Sequence, residues 1–211
     1  MWRTIVAYLQ IDPNLFEFAG QGTAFIDIGS AAIPATVNKT RSPNTGERGL
    51  YLKGSAISTL SVQSGSVGLA MIQGDTATAA TVRTISNGAD LICGKGCTLT
   101  TATCMGGVMR LRASVTTLNV YGGTVYLEEA AAATTVNLYG GTVQHNSTGT
   151  VATWNAYGGT SDWLNYAGSR TVTDLNIYRG SAIRFNKASV THTNAPALID
   201  TMLINTSVFT G

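Results

Sequence analysis

The chain predicts an all-β fold: a single-stranded parallel β-helix, or β-solenoid, of about seven coils with a non-repetitive N-terminal capping or attachment region. Three observations carry this expectation: a repeat of 18 residues, apolar alternation of period two inside each copy, and a scarcity of charge. The repeat is plainest in Tyr-Gly-Gly-Thr, which occurs at Tyr121 to Thr124, Tyr139 to Thr142 and Tyr157 to Thr160. Self-similarity at a constant interval is the mark of stacked structural units, each of which buries its apolar stripe only against its neighbours.

The copies are wider than the tetrapeptide. Leu118-Asn119-Val120-Tyr121-Gly122-Gly123-Thr124-Val125 is followed by Val136-Asn137-Leu138-Tyr139-Gly140-Gly141-Thr142-Val143 and by Trp154-Asn155-Ala156-Tyr157-Gly158-Gly159-Thr160. A degenerate copy follows at Leu175-Asn176-Ile177-Tyr178-Arg179-Gly180-Ser181. Looser copies precede them, and the second glycine of the series falls at 65, 88, 107, 123, 141, 159 and 180. Within a copy, Leu118 and Val120 alternate with Asn119 and Tyr121, as in a strand with one buried face. The Gly-Gly pair supplies the backbone freedom for a corner, and a second short strand follows, as at Val125 to Leu127 or Val143 to His145. A coil of 18 residues is too short for a strand-helix-strand unit, which needs roughly 30. The Leu-x-x-Leu-x-Leu consensus of leucine-rich repeats is absent. A parallel β-helix remains.

Coils stacked about 4.8 Å apart place like residues in files. The expected inner files are Leu118, Val136, Trp154, Leu175 and Cys104, Val120, Leu138, Ala156, Ile177; the outer ones are Asn119, Asn137, Asn155, Asn176 and Tyr121, Tyr139, Tyr157, Tyr178. The low charge fits such a stack. Only 11% of residues are charged, and a charge repeated in every coil would meet its own copy at strand spacing and be repelled. Little helix is expected, and the one helix-like run, Glu128 to Ala133, is short.

The repeat divides the chain into an N-terminal attachment or capping region at 1–54, the solenoid at 55–193 and a C-terminal cap at 194–211. Caps are required because an open last coil offers unpaired backbone to any strand. In the first region the aromatic residues Trp2, Tyr8, Phe16, Phe18 and Phe25 are the candidates for anchoring or capping. The apolar run from Ile5 to Leu9 is too short for a signal-peptide core, so assembly in a cytoplasm is expected, with no membrane partner.

Chemistry is sparse. Cys93, Cys97 and Cys104 are odd in number and are not spaced as metal ligands, and Cys104 falls in an inner file, so neither metal nor cofactor is expected. Glycosidase-like catalysis on a β-helix needs carboxylates gathered on adjacent coils. The eleven acidic residues share no file in neighbouring coils: Asn146 and Ser147 follow Glu128 and Glu129 one coil on. His145 and His192 have no acidic partner in sequence, so no enzyme is expected. A net charge of +2, with Lys39, Arg41 and Arg48 in one N-terminal loop, makes no phosphate-tracking stripe, so no nucleic acid partner is expected. The tyrosine file is the candidate interaction surface, either a subunit contact or an internal ladder of stacked rings.

A Thr/Asn/Gly-rich, nearly charge-free solenoid of Leu-Asn-Val-Tyr-Gly-Gly-Thr-Val coils behind a short non-repetitive region resembles structural proteins of tailed bacteriophage virions, over residues 55 to 190. These are capsid decoration (cement) proteins, head fibres, and tail fibres or tailspikes. The resemblance implies a homotrimer on the virion surface, assembled in the host cytoplasm. A chain of 211 residues suits a decoration protein that binds the major capsid protein and stabilises the head. The alternative is a tail fibre or tailspike that contacts host surface glycan.

Overall fold

A computed structural model describes residues 9–10, 17–18, 24–29, 34–38, 50–164, 168–185 and 190–199. In chain order the first strands are β1 (Leu9–Gln10), β2 (Glu17–Phe18), β3 (Ala24–Asp27), β4 (Pro34–Asn38), β5 (Leu50–Leu69), β6 (Ala77–Thr84), β7 (Ala89–Cys93), β8 (Cys97–Cys104) and β9 (Val108–Leu111). Then come β10 (Val115–Val120), β11 (Thr124–Glu129), β12 (Ala133–Leu138), β13 (Thr142–Ser147), β14 (Thr150–Ala156), β15 (Thr160–Trp163), β16 (Arg170–Tyr178), β17 (Ala182–Phe185), β18 (Val190–His192) and β19 (Ala197–Ile199).

Each coil contributes one strand to each of two parallel sheets. The first sheet stacks β6, β8, β10, β12, β14 and β16 in that order, and β18 and β19 both add to β16. The second stacks β7, β9, β11, β13, β15 and β17. Strand β5 serves both: residues 50–53 pair with β3, 54–64 with β4 and β6, and 65–69 with β7. The protein is therefore a β-solenoid of about seven coils. The sequence repeat fades before residue 55, yet β1 to β4 join the sheets in the same parallel sense.

The inner files are those expected from the repeat. Leu118 is flanked by Ala102 and Val136, and Val136 by Trp154, which in turn meets Leu175. Cys104, Val120, Leu138, Ala156 and Ile177 form the neighbouring file. All of these side chains are buried in one continuous core between the sheets. Most are aliphatic residues of moderate size, because each has to fit between copies of itself one strand spacing above and below.

The Gly-Gly corners serve two different demands. The second glycine takes a left-handed conformation, with φ of 75° at Gly107, 74° at Gly123 and 75° at Gly141. The first must let the chain pass close to the coil before it: a Cβ at Gly140 would lie 2.6 Å from the carbonyl oxygen of Tyr121. In two places the sequence frame is corrected. The residue paired with Gly65 is Ala89, not Gly88, and Gly88 has no positive φ, because extra residues in that corner shift the glycine out of its file. The run Glu128 to Ala133 is the end of β11, a corner and the start of β12. There, pairing of Glu128 and Glu129 with Asn146 and Ser147 overrides local helix preference. Among the described residues there is no helix, hence none long and apolar enough to cross a membrane.

Gly141→Ala forces a Cβ within 2.5 Å of the Gly123 carbonyl oxygen at a left-handed position. It should lower stability by more than about 1 kcal/mol, whereas Gly88→Ala, with its nearest contact at 3.9 Å, should be close to neutral. Thermal unfolding of the two variants checks the contrast.

Candidate functional site

The outer face of the first sheet carries three side-chain files along the solenoid axis. The first is threonine: Thr59, Thr81, Thr101, Thr117, Thr135 and Thr153 are successive register partners, and Asp174 ends the row. The second is the asparagine ladder. Asn137 Nδ2 donates to Asn119 Oδ1 at 3.0 Å, Asn155 Nδ2 to Asn137 Oδ1 at 2.9 Å, and Asn176 Nδ2 to Asn155 Oδ1 at 2.8 Å. Each amide can do this because its copy one coil away presents the complementary end at strand spacing.

The third file is the tyrosine ridge, and the structure brings all four expected residues together. Tyr121 and Tyr139 stack with ring centroids 4.8 Å apart and planes 7° from parallel, Tyr139 and Tyr157 at 4.9 Å and 8°. Tyr178 continues the row at 4.4 Å with a tilt of 34°. Both readings of this file therefore have a basis: the rings form an internal ladder, and they remain exposed, at 54% for Tyr121, 45% for Tyr139 and 37% for Tyr157. Partial burial and the adjoining phenols of Tyr178 and Tyr139 raise the Tyr157 phenol above its ordinary value.

The ridge is longer than its tyrosines. The backbone N–H groups of Ile85, Met105, Tyr121, Tyr139 and Tyr157 make equivalent bonds to the preceding coil, from Ile85 to Val62 O through Tyr157 to Leu138 O. Ile85 and Met105 thus extend the apolar file, and Met105 is 53% exposed. Met105 precedes Gly106-Gly107 as Tyr121, Tyr139 and Tyr157 precede their own pairs, which is the signal that identifies it. Ile85 is obscured by the displaced Gly88.

Along the second sheet and its corners, charges of opposite sign meet across one coil or, for Lys95 and Glu129, two. Glu128 meets Arg110 at 2.6 Å and Arg112 at 3.0 Å, Glu129 meets Lys95 at 2.8 Å, and Asp162 meets Arg184 at 3.5 Å. The Arg110 guanidinium also lies 4.0 Å over the Tyr126 ring. These carboxylates are held by basic partners rather than gathered with one another.

Cys104 is buried in its file, with Sγ 3.0 Å from Gly122 O, and burial raises its thiol above the ordinary value. Cys93 and Cys97 are free buried thiols, and the Cys93 thiol is pushed well up by its hydrogen bond with Cys97 and by burial. Among the described residues no group of three or more His, Cys, Asp or Glu could hold a metal ion. Of the candidate anchors, Trp2, Tyr8 and Phe16 lie outside the described residues; Phe18 ends β2 and Phe25 lies on β3.

Asn137 has two ladder bonds and Asn119 one. Asn137→Ala should therefore destabilise the chain by about 1–3 kcal/mol, and Asn119→Ala by roughly half as much. Denaturant unfolding of both variants measures the difference.

Comparison with known proteins gives no match: no family model, no curated protein and no solved structure is similar to this chain.

Proposed function

We propose that this chain is a non-enzymatic structural protein whose solenoid is a stiff strut and whose tyrosine ridge is a protein-contact surface. Within that class we favour a capsid decoration (cement) protein of a tailed bacteriophage, located on the virion surface and holding the major capsid protein, as a homotrimer. The observation that carries the reading is an apolar file, Met105 to Tyr178, exposed over most of its length, beside which the threonine and asparagine files carry no charge from Thr101 and Thr103 until Asp174. Aromatic residues concentrate where proteins meet proteins, and a stiff scaffold limits the ordering cost of contact. Several copies held together would add modest contacts through effective concentration.

The geometry weighs against the alternative of a tail fibre that grips host glycan through this file. A sugar packs on the face of an aromatic ring, and the faces between Tyr121, Tyr139 and Tyr157 are already occupied by one another at 4.8 and 4.9 Å. What the file presents is ring edges and hydroxyls.

Two measurements test the proposal. Purified protein should bind capsids prepared without it and raise their resistance to heat; affinity for host polysaccharide with none for capsids would reject the decoration reading. Light scattering of the wild type should give a multiple of the 22.0 kDa chain mass. Tyr139→Ser with Tyr157→Ser should reduce it toward that of one chain, and an unchanged mass would show that the file is not the subunit contact.

A further inference from the structure

The core changes character along the axis. In the earlier coils the file through the second sheet is Cys93, Leu111 and Leu127, and the next two places are His145 and Trp163, followed by Phe185. His145 and Trp163 are fully buried, as are Trp154, Ser161 and Arg170. The imidazole stacks on Trp154 with centroids 5.9 Å apart and meets the edge of Trp163 at 6.2 Å. Trp154 Nε1 donates to Ser161 Oγ at 3.0 Å, and Arg170 Nη1 donates to the Trp163 carbonyl oxygen. Neither ring nitrogen of His145 has a hydrogen-bond partner, and the same is true of His192, whose ring lies 6.2 Å from Trp163.

The charges on the surrounding elements offer a proton no compensation. On β11, Glu128 and Glu129 face outward to Arg110, Arg112 and Lys95. On β15, Asp162 faces outward to Arg184 of β17. On β16, Asp174 accepts a hydrogen bond from Asn194 on the outer side. Strands β13 and β14 carry no other ionisable side chain, and β18 carries His192. The charged group that acts on the imidazole is the cation Arg170.

We propose that His145 makes the C-terminal coils, from β13 to β18, an acid-opened section of the solenoid, while the aliphatic coils from β6 to β12 stay closed. A proton taken from solvent onto His145 creates a second cation beside Arg170 in a dry core, and the section relieves this by unstacking so that water reaches the ring. Solenoid coils contact mainly their neighbours, so an end section can open without the rest. Burial and, after it, Arg170 lower the imidazole to about 4, against roughly 6.5 in an open chain. Below the open-chain value the open form binds more protons than the closed one, so closure weakens as pH falls toward the closed-state value. Each unit of pH in that window favours opening about tenfold.

Hydrogen exchange of the full chain, resolved by peptide and corrected for intrinsic rates, tests this between pH 6.5 and 4.5. The opening constant of the coils from β13 to β18 should rise about fortyfold, with Trp154 and Trp163 fluorescence following it, while β6 to β12 are unaffected. His145→Leu, which continues the leucines of its file, and His145→Gln, which keeps a neutral polar group, should each remove most of the dependence, leaving what His192, also lowered by burial, adds. No preferential opening of the C-terminal coils, or an undiminished dependence in whichever variant folds, would overturn the assignment; so would its loss in His192→Gln alone.

Discussion

Parallel in-register pairing is the constraint on which the rest depends. With strands about 4.8 Å apart, every side chain in a coil has as its closest neighbours the residues at the same place in the coils above and below. Each file must therefore tolerate its own repetition. Asparagine does so because an amide is donor at one end and acceptor at the other. Tyrosine does so because a ring offers two faces, here at centroid spacings of 4.8 and 4.9 Å. Carboxylates and cations do not, and the structure sets opposite signs against each other, as in Glu128, which meets Arg110 and Arg112 of the preceding coil and Asn146 in the next.

The same constraint explains why a surface suited to contact arises on one face. Files that satisfy themselves leave little for solvent to compete over, and they are straight because the stacking is. The tyrosine ridge uses its ring faces internally and turns its edges outward, and the proposed protein contact rests on that. Inside, stacking that accepts leucine on leucine has to accommodate His145 and Arg170 only in the later coils, where tryptophans and Phe185 replace aliphatic neighbours. The register between β14 and β16 is also longer there, 21 residues against 18 between β12 and β14.

Much of this was legible in the sequence wherever one residue type recurs at one place. The Leu/Val inner files and the Asn and Tyr outer files follow from the three cleanest copies alone. Legibility failed where corners vary in length, because a glycine marks a corner but not its register: Gly88 is one residue from the place taken by Ala89. That slip concealed Ile85 as the start of the ridge. The run Glu128 to Ala133 reads as helix by local preference, which carries no information about a partner strand 18 residues away. The buried cluster around His145 was hidden for a related reason: alternation assigns a side chain inward or outward but does not say which inward side chains from the two sheets meet, as Trp154 meets Trp163 at 4.8 Å.

The most direct test of the in-register stack is to remove one coil. Deleting residues 121–138 joins Val120 to Tyr139, which already holds the place of Tyr121 through the offset of 18 residues between β10 and β12. Circular dichroism during thermal unfolding should show a β-rich, cooperatively unfolding chain, whereas deleting 121–129, half a coil, should abolish the transition. Equal behaviour of the two deletions would contradict the account.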